Sequence, residues 1–299
     1  MRRVLVLALA SAGLAIQPAE TQPRGLKVHI SVDMEGIAGV VTGDQLGPTG
    51  FEYARFREFM TREAMAAVTA AKEAGATEIV VADAHGNGEN LLIEQFPPDV
   101  RIVRSWPRPL SMMGGVDASF DAAIFIGYHA STTSLAGVRA HTFSSATLTR
   151  VALNGVEMTE GSWNAAIAGH FNVPVVMVSG DDAAIAEVRK VVGNLEAAET
   201  KKALGFHAAL TVTPAAAQAD IAAKVKAALA RRASFSPYKP QGQITVDVGF
   251  KHYMPAEVLA YLPMFERTSA HSIRFRAKDM VEASAVMEFV GEYRPDLAP

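Results

Sequence analysis

Hydrophobic and polar positions follow two rhythms along this chain. From Leu26 to about Ser179, short runs rich in β-branched residues alternate with longer stretches whose apolar side chains recur at helical spacing, the pattern of a parallel sheet flanked by helices. Leu26 to Val32 predicts a first strand, Glu78 to Ala82 a second, Arg101 to Val103 a short third and Ala122 to Ile126 a fourth. Val173 to Val178 is an apolar run of the kind buried on both faces. Tyr53 to Ala74 predicts a helix that stops at Gly75, a residue suited to a left-handed cap. The alternation predicts an α/β fold with a doubly wound, mostly parallel sheet.

Two stretches break that rhythm. Ala146 to Leu153 and Val156 to Met158 flank Asn154-Gly155, a strong hairpin signal, and lead into a helix from Glu160 to Phe171 that Thr159 can cap. After Asp181-Asp182 the chain turns Ala- and Lys-rich, with a helix from Pro214 to Arg231, strands at Ile244 to Val248 and Ser272 to Arg276, and a last helix from Asp279 to about Tyr293. This predicts a smaller C-terminal α+β domain, residues 184–299, after an α/β domain of residues 24–183. Two helices and two strands make a thin layer, which needs the first domain or another subunit to cover it.

Composition narrows the function classes. With 299 residues, 49% of them hydrophobic, the chain can bury a large core. A formal net charge of -3 and the lack of a basic run interleaved with aromatics argue against a nucleic-acid partner. Zero cysteines remove thiol nucleophiles and disulfides. Met1-Arg2-Arg3, the apolar run to Ile16 and the polar stretch from Gln17 to Pro23 predict a signal peptide and tether over residues 1–23, cut near Ala15 or Ala19, and a periplasmic or secreted protein. That run is too short to cross a bilayer and no later segment is suited to it, so the mature protein is expected to have no membrane span.

Candidate chemistry gathers at strand ends. Asp33 and Glu35 follow the first strand, Asp83 and His85 the second, and His129 the fourth. In a doubly wound sheet such positions converge on the crevice beyond the carboxyl ends of the strands. Asp33 and Glu35, two apart in extended chain, share a face, where their repulsion calls for a cation. A turn Asp beside a solvated Glu is the commoner reading of Asp-X-Glu alone, and a lone His after a strand is commonly a surface group; their coincidence reverses the balance. Mixed imidazole and carboxylate ligation suits zinc, with manganese or cobalt behind it. Glu160 is explained equally well by the helix macrodipole. His141 could donate a proton or stabilise an oxyanion, and the other five histidines lack such company. No Gly-X-Ser-X-Gly elbow and no phosphate loop ending in Lys-Ser/Thr are present.

Ser31-Val32-Asp33-Met34-Glu35-Gly36, Asp83-Ala84-His85, Gly127-Tyr128-His129-Ala130 and Ala277-Lys278-Asp279-Met280 together resemble the zinc D-aminopeptidase family, over a span from about Lys27 to Glu292. The resemblance implies a centre of two zinc ions, with Asp33 bridging them and Glu35, His85, His129 and Glu160 completing the ligands. It also implies that His141 is the additional active-site histidine, and that the protein forms a ring-like homo-oligomer releasing N-terminal D-amino acids, D-alanine above all, from short peptides. The mechanism expected is attack by a metal-held hydroxide on a carbonyl polarised by the second metal, in a pocket whose wall is expected from Tyr128, Met34 and Trp163. The alternatives are a metal-dependent phosphoesterase, with Arg139 or Arg104 as phosphate partner, and a non-catalytic periplasmic dipeptide-binding protein.

Overall fold

A computed structural model describes residues 25–293; the expected signal and tether, residues 1–23, lie outside them. The chain runs β1 (Leu26–Val32), α1 (Tyr53–Glu73), β2 (Ala76–Asp83), β3 (Val100–Val103), β4 (Ala122–Tyr128), β5 (Leu148–Leu153), β6 (Val156–Glu157), α2 (Glu160–His170) and β7 (Val175–Asp181). It continues through α3 (Asp182–Val192), β8 (Glu196–Gly205), β9 (Ala208–Thr211), α4 (Pro214–Ala230), β10 (Ile244–Phe250), α5 (Tyr253–Leu259), β11 (Phe265–Ser269), β12 (Ser272–Ala277) and α6 (Met280–Glu292).

The larger sheet has the order β3-β2-β1-β4-β7-β8-β9, parallel except for the last pair. Strands β4 and β7 are buried along their whole length and β1 from Val28 onward, as their mostly apolar sequences suit between helical layers. Two helix pairs, α1 with α4 and α2 with α3, cover the sheet. From β1 the chain adds β2 and then β3 on one side, then returns to place β4 on the other. The strand order therefore reverses between β1 and β4, and the crevice beyond their carboxyl ends is the binding place such a sheet offers. No helix among the described residues is long and apolar enough to cross a membrane.

The second sheet is antiparallel, in the order β11-β12-β10-β5-β6. The Asn154-Gly155 hairpin forms as expected, with φ of 51° and 80° at its two turn residues, the conformation a two-residue turn demands. The chain crosses the expected boundary at 183/184 in both directions. Strands β5 and β6 join the C-terminal sheet, while α3, β8, β9 and α4 extend the larger one. The thin C-terminal layer is covered by α6, which also packs on α2.

Close backbone approach at the switch point fixes where the chain after β1 goes. The Asp33 N–H donates to the Ile126 carbonyl at 2.8 Å and the Gly36 N–H to the Gly127 carbonyl at 2.7 Å. A Cβ at position 36 would lie 2.1 Å from the Tyr128 carbonyl oxygen and 2.4 Å from the Gly127 carbonyl carbon, so only glycine fits there. A Gly36→Ala substitution should therefore cost on the order of 3 kcal/mol of stability by overpacking, read from urea denaturation of the metal-free protein. Gly43→Ala, whose added carbon meets nothing within 4 Å, should leave the midpoint unchanged.

Candidate metal centre

Beyond β1 and β4, six side chains from five segments meet: Asp33 and Glu35 after β1, His85 after β2, His129 after β4, His141 in the loop that follows, and Glu160 at the start of α2. All but His141 are nearly fully buried. Asp33 lies between two groups of ligand-type atoms. Its Oδ1 is 3.2 Å from His85 Nδ1, which is also 2.9 Å from Glu35 Oε2. Its Oδ2 is 3.3 Å from His129 Nε2, which is also 3.1 Å from Glu160 Oε2. His141 Nε2 lies 4.0 Å from Glu35 and 3.8 Å from Glu160, its ring stacked on that of His129 at 4.1 Å.

Each imidazole is tethered through its other nitrogen to a backbone carbonyl. His85 Nε2 donates to Leu46 at 2.7 Å, His129 Nδ1 to Ala130 at 3.0 Å and His141 Nδ1 to Arg139 at 2.8 Å. With that nitrogen protonated, the one facing the carboxylates is left to hold either a proton or a metal ion. The His85 loop is in turn fixed by Asp83, whose carboxylate accepts the N–H groups of Asn90 and Leu91 and the Asn90 amide. Asp83 is thereby an organiser of the site and not part of the cluster. The Phe143 N–H donates to Glu160 at 2.6 Å and the Met34 N–H to Asp33 at 2.8 Å.

The electrostatics are those of buried charge seeking a partner. Burial raises the Asp33 pKa and the Glu35 carboxylate adds to the rise. Burial works the same way on Glu35 and Glu160, yet the imidazolium of His85 holds the first well below its usual range and that of His129 lowers the second. Burial disfavours the charged forms of His85 and His129, but the carboxylates of Glu35 and Glu160 outweigh it and raise both well above the ordinary value.

The residues fit a metal ion. Asp33 Oδ2 and Glu35 Oε2 are buried without a hydrogen bond, while the imidazole nitrogens beside them bond to Asp33 Oδ1 and Glu160 Oε2, so two carboxylate oxygens of the cluster are left for a further partner. Among the described residues, donor atoms of Asp33, Glu35 and His129, and those of His129, His141 and Glu160, fall within 4.8 Å of one another. The second set includes His141, so distance alone does not separate it from the ligands.

A cleft of about 250 Å³ opens onto the cluster. Trp163 lines it, together with Phe143 packed edge-on against that ring. Tyr128 and Met34 do not line it; the Tyr128 hydroxyl donates to Ser31 and accepts from Asn164. Their place next to the motif residues put them near the metals in sequence, but a polar anchor and the core claim them. The opposite wall comes from Ser284, Met287, Glu288 and Glu292 on α6, spaced along one helix face, a spacing visible in the sequence but not tied there to this cleft. Neither Arg139 nor Arg104 lines it; the Arg139 guanidinium lies 3.0 Å from His207 and over the Phe206 ring.

Comparison with known proteins agrees with this geometry. The M55 peptidase family, described as D-aminopeptidase, matches residues 26–289. A D-aminopeptidase of Bacillus subtilis (strain 168) is 33% identical over 263 residues, covering 88% of this chain and 95% of that protein. The solved structure of the Zn-dependent D-aminopeptidase DppA from Bacillus subtilis, described as a self-compartmentalizing protease, superposes with a TM-score of 0.86 at 31% identity. It covers 91% of this chain and all of that one.

Glu63, on α1 behind the Asp33–Glu35 arm, accepts the Ala38 N–H at 3.0 Å. Burial pushes its pKa up to about 7, against the pull of that N–H and of Lys201. Between pH 4.5 and 7 the unfolded chain ionises this group first, so the wild type loses stability as pH rises through that window. Glu63→Gln cannot ionise and should gain on the wild type by about 3 kcal/mol between pH 4.5 and 7. Equal slopes in paired urea titrations across those pH values would refute it.

Proposed function

Because the chain belongs to the M55 family of D-aminopeptidases, we propose that it is a zinc aminopeptidase whose centre takes two ions. In this reading Asp33, Glu35, His85, His129 and Glu160 would hold the ions, with His85 and Glu35 grouped at one Asp33 oxygen and His129 and Glu160 at the other. The observation that carries it is the placement of the two Asp33 oxygens, each beside a different imidazole and a different glutamate. When bound, zinc supplies Lewis acidity, drawing the pKa of water toward 7 and polarising a peptide carbonyl.

The protein's own groups do the rest. His141, held by the Arg139 carbonyl with Nε2 toward Glu35 and Glu160, is positioned to pass a proton to the departing amine. Arg139 and Phe143, on either side of it, have φ of 54° and 61°, local strain of the kind stored at working sites. Glu288 and Glu292 on the cleft wall complement a substrate's N-terminal ammonium. No Arg or Lys among the described residues lines the cleft, which favours a peptide over a phosphate ester. Trp163 and Phe143 narrow the space beside the cluster, favouring a small side chain such as that of D-alanine.

The relative's self-compartmentalization supports a ring-like homo-oligomer here. Leu204, Phe206 and Leu210 near the β8–β9 turn, and Tyr261 after α5, are exposed apolar groups available to subunit contacts. Export, supported by the residues 1–23 pattern, would bring the enzyme to peptides outside the cytoplasm.

His85→Ala and His129→Ala should each lose bound zinc, measured by metal analysis after dialysis, since no neighbour replaces a neutral imidazole. His141→Ala should keep its zinc and turn over about 10²-fold more slowly; loss of zinc there would make it a ligand. With zinc supplied, D-Ala-D-Ala should be cleaved faster than L-Ala-L-Ala at equal concentration. Preference for the L,L peptide would discard the D-specific reading and leave the metallopeptidase standing.

A further inference from the structure

The arm that follows β1 carries two of the proposed ligands, yet residues 36–38 and Val40 are buried and in no helix or strand. Buried backbone outside regular structure needs partners from elsewhere. Most of them come from β8 and β9, across the sheet edge from the cluster. The Lys201 ammonium, 1% exposed, donates to the carbonyls of Glu35 at 2.5 Å, Ile37 at 2.9 Å and Val40 at 2.7 Å. Its three N–H donors are thus all used on one turn of backbone. The neighbouring Thr200 hydroxyl, also fully buried, lies 2.6 Å from the Gly36 carbonyl and 3.1 Å from that of Gly180, and Thr211 accepts the Gly39 N–H at 2.8 Å.

We propose that Thr200 and Lys201 are positioning residues for the metal centre: together they tie down four carbonyls between Glu35 and Val40 and so set the aim of the Asp33 and Glu35 carboxylates. The geometry separates this from ordinary core packing. Neither side chain lines the cleft or joins the cluster, and one Lys201 bond ends on the backbone of Glu35 itself. An ammonium here does what a small cation bound by three carbonyls would do, except that it is built into the sheet. Without it the Glu35 and Val40 carbonyls lose their donor and Ile37 keeps only the Val40 N–H at 3.1 Å, and the arm relaxes toward other donors. The same hairpin also steadies the histidine loop, because the Phe206 carbonyl accepts the Arg139 N–H at 2.9 Å, two residues before His141.

The inference rests on the cluster being a metal centre, and the test separates the two. Lys201→Met keeps the length of the side chain and removes its donors. In a variant with wild-type circular dichroism, zinc affinity measured by competition with a chromophoric chelator should fall about 10- to 100-fold, the usual cost of losing a partner outside the ligands. The visible spectrum of the cobalt-substituted protein should change, and kcat should drop with KM nearly constant. Wild-type affinity and cobalt spectrum, with only thermal stability lowered, would overturn the proposal. Should Lys201→Met not fold, Thr200→Val removes the Gly36 tie together with the contact to the Gly180 carbonyl and should weaken zinc several-fold; unchanged affinity there overturns it equally. A wild type that binds no zinc would sink the metal reading first, whereas tight binding by wild type and variant alike sinks this inference alone.

Discussion

Three nearly buried carboxylates in one crevice are the constraint on which the rest of this structure depends. Like charges about 4 Å apart repel by about 4 kcal/mol even at an effective dielectric of 20, and Asp33, Glu35 and Glu160 are all nearly fully buried. The fold answers by bringing His85, His129 and His141 to the same point and tying each ring to a carbonyl, so that the free nitrogen faces the negative charge. A proton and a divalent cation compete for those nitrogens. The cluster is therefore held in shape by its surroundings, whichever of the two it carries.

Those surroundings are spread over the whole molecule. The reversal of strand order between β1 and β4 creates the crevice, and Gly36 against the end of β4 closes the distance that brings Glu35 toward it. Asp83 and Asn90 lock the His85 loop. The β5–β6 hairpin leads the chain into α2 so that Glu160 opens that helix, with Thr159 accepting the Ser162 N–H and Ser162 returning a bond to the Thr159 N–H. The second sheet then carries α6 to the far wall of the cleft.

Much of this was legible in the sequence, and what escaped did so for physical reasons. The central strands declare themselves because a strand buried on both faces is mostly apolar, and the residues of the site sit at their ends, where the topology of such sheets puts ligands. The β8 segment, Glu196–Gly205, carries two glutamates and two adjacent lysines and no β-branched residue besides Thr200; pairing with β7 makes it a strand, a tertiary effect that propensity does not contain. For the same reason Lys201 reads as one more solvated lysine, although it is among the most buried side chains in the protein. The wall residues divide similarly. Trp163 follows from its place on α2, whereas Tyr128 is turned into the core by bonds to Ser31 and Asn164, partners distant in sequence. The hairpin and β8–β9 each pair with the sheet made mostly by the other half, a pairing that composition does not carry.

The distance along the chain between the Glu35 arm and its anchor, 166 residues, has a consequence for biogenesis. Every member of the cluster has been synthesised once Glu160 is in place, yet the arm stays unsecured until β8 has been made and docked beside β7. A partly made chain thus holds the residues for capturing a metal without the scaffold that would make capture tight. Closure of the arm is in this way deferred until about two thirds of the polypeptide has been made.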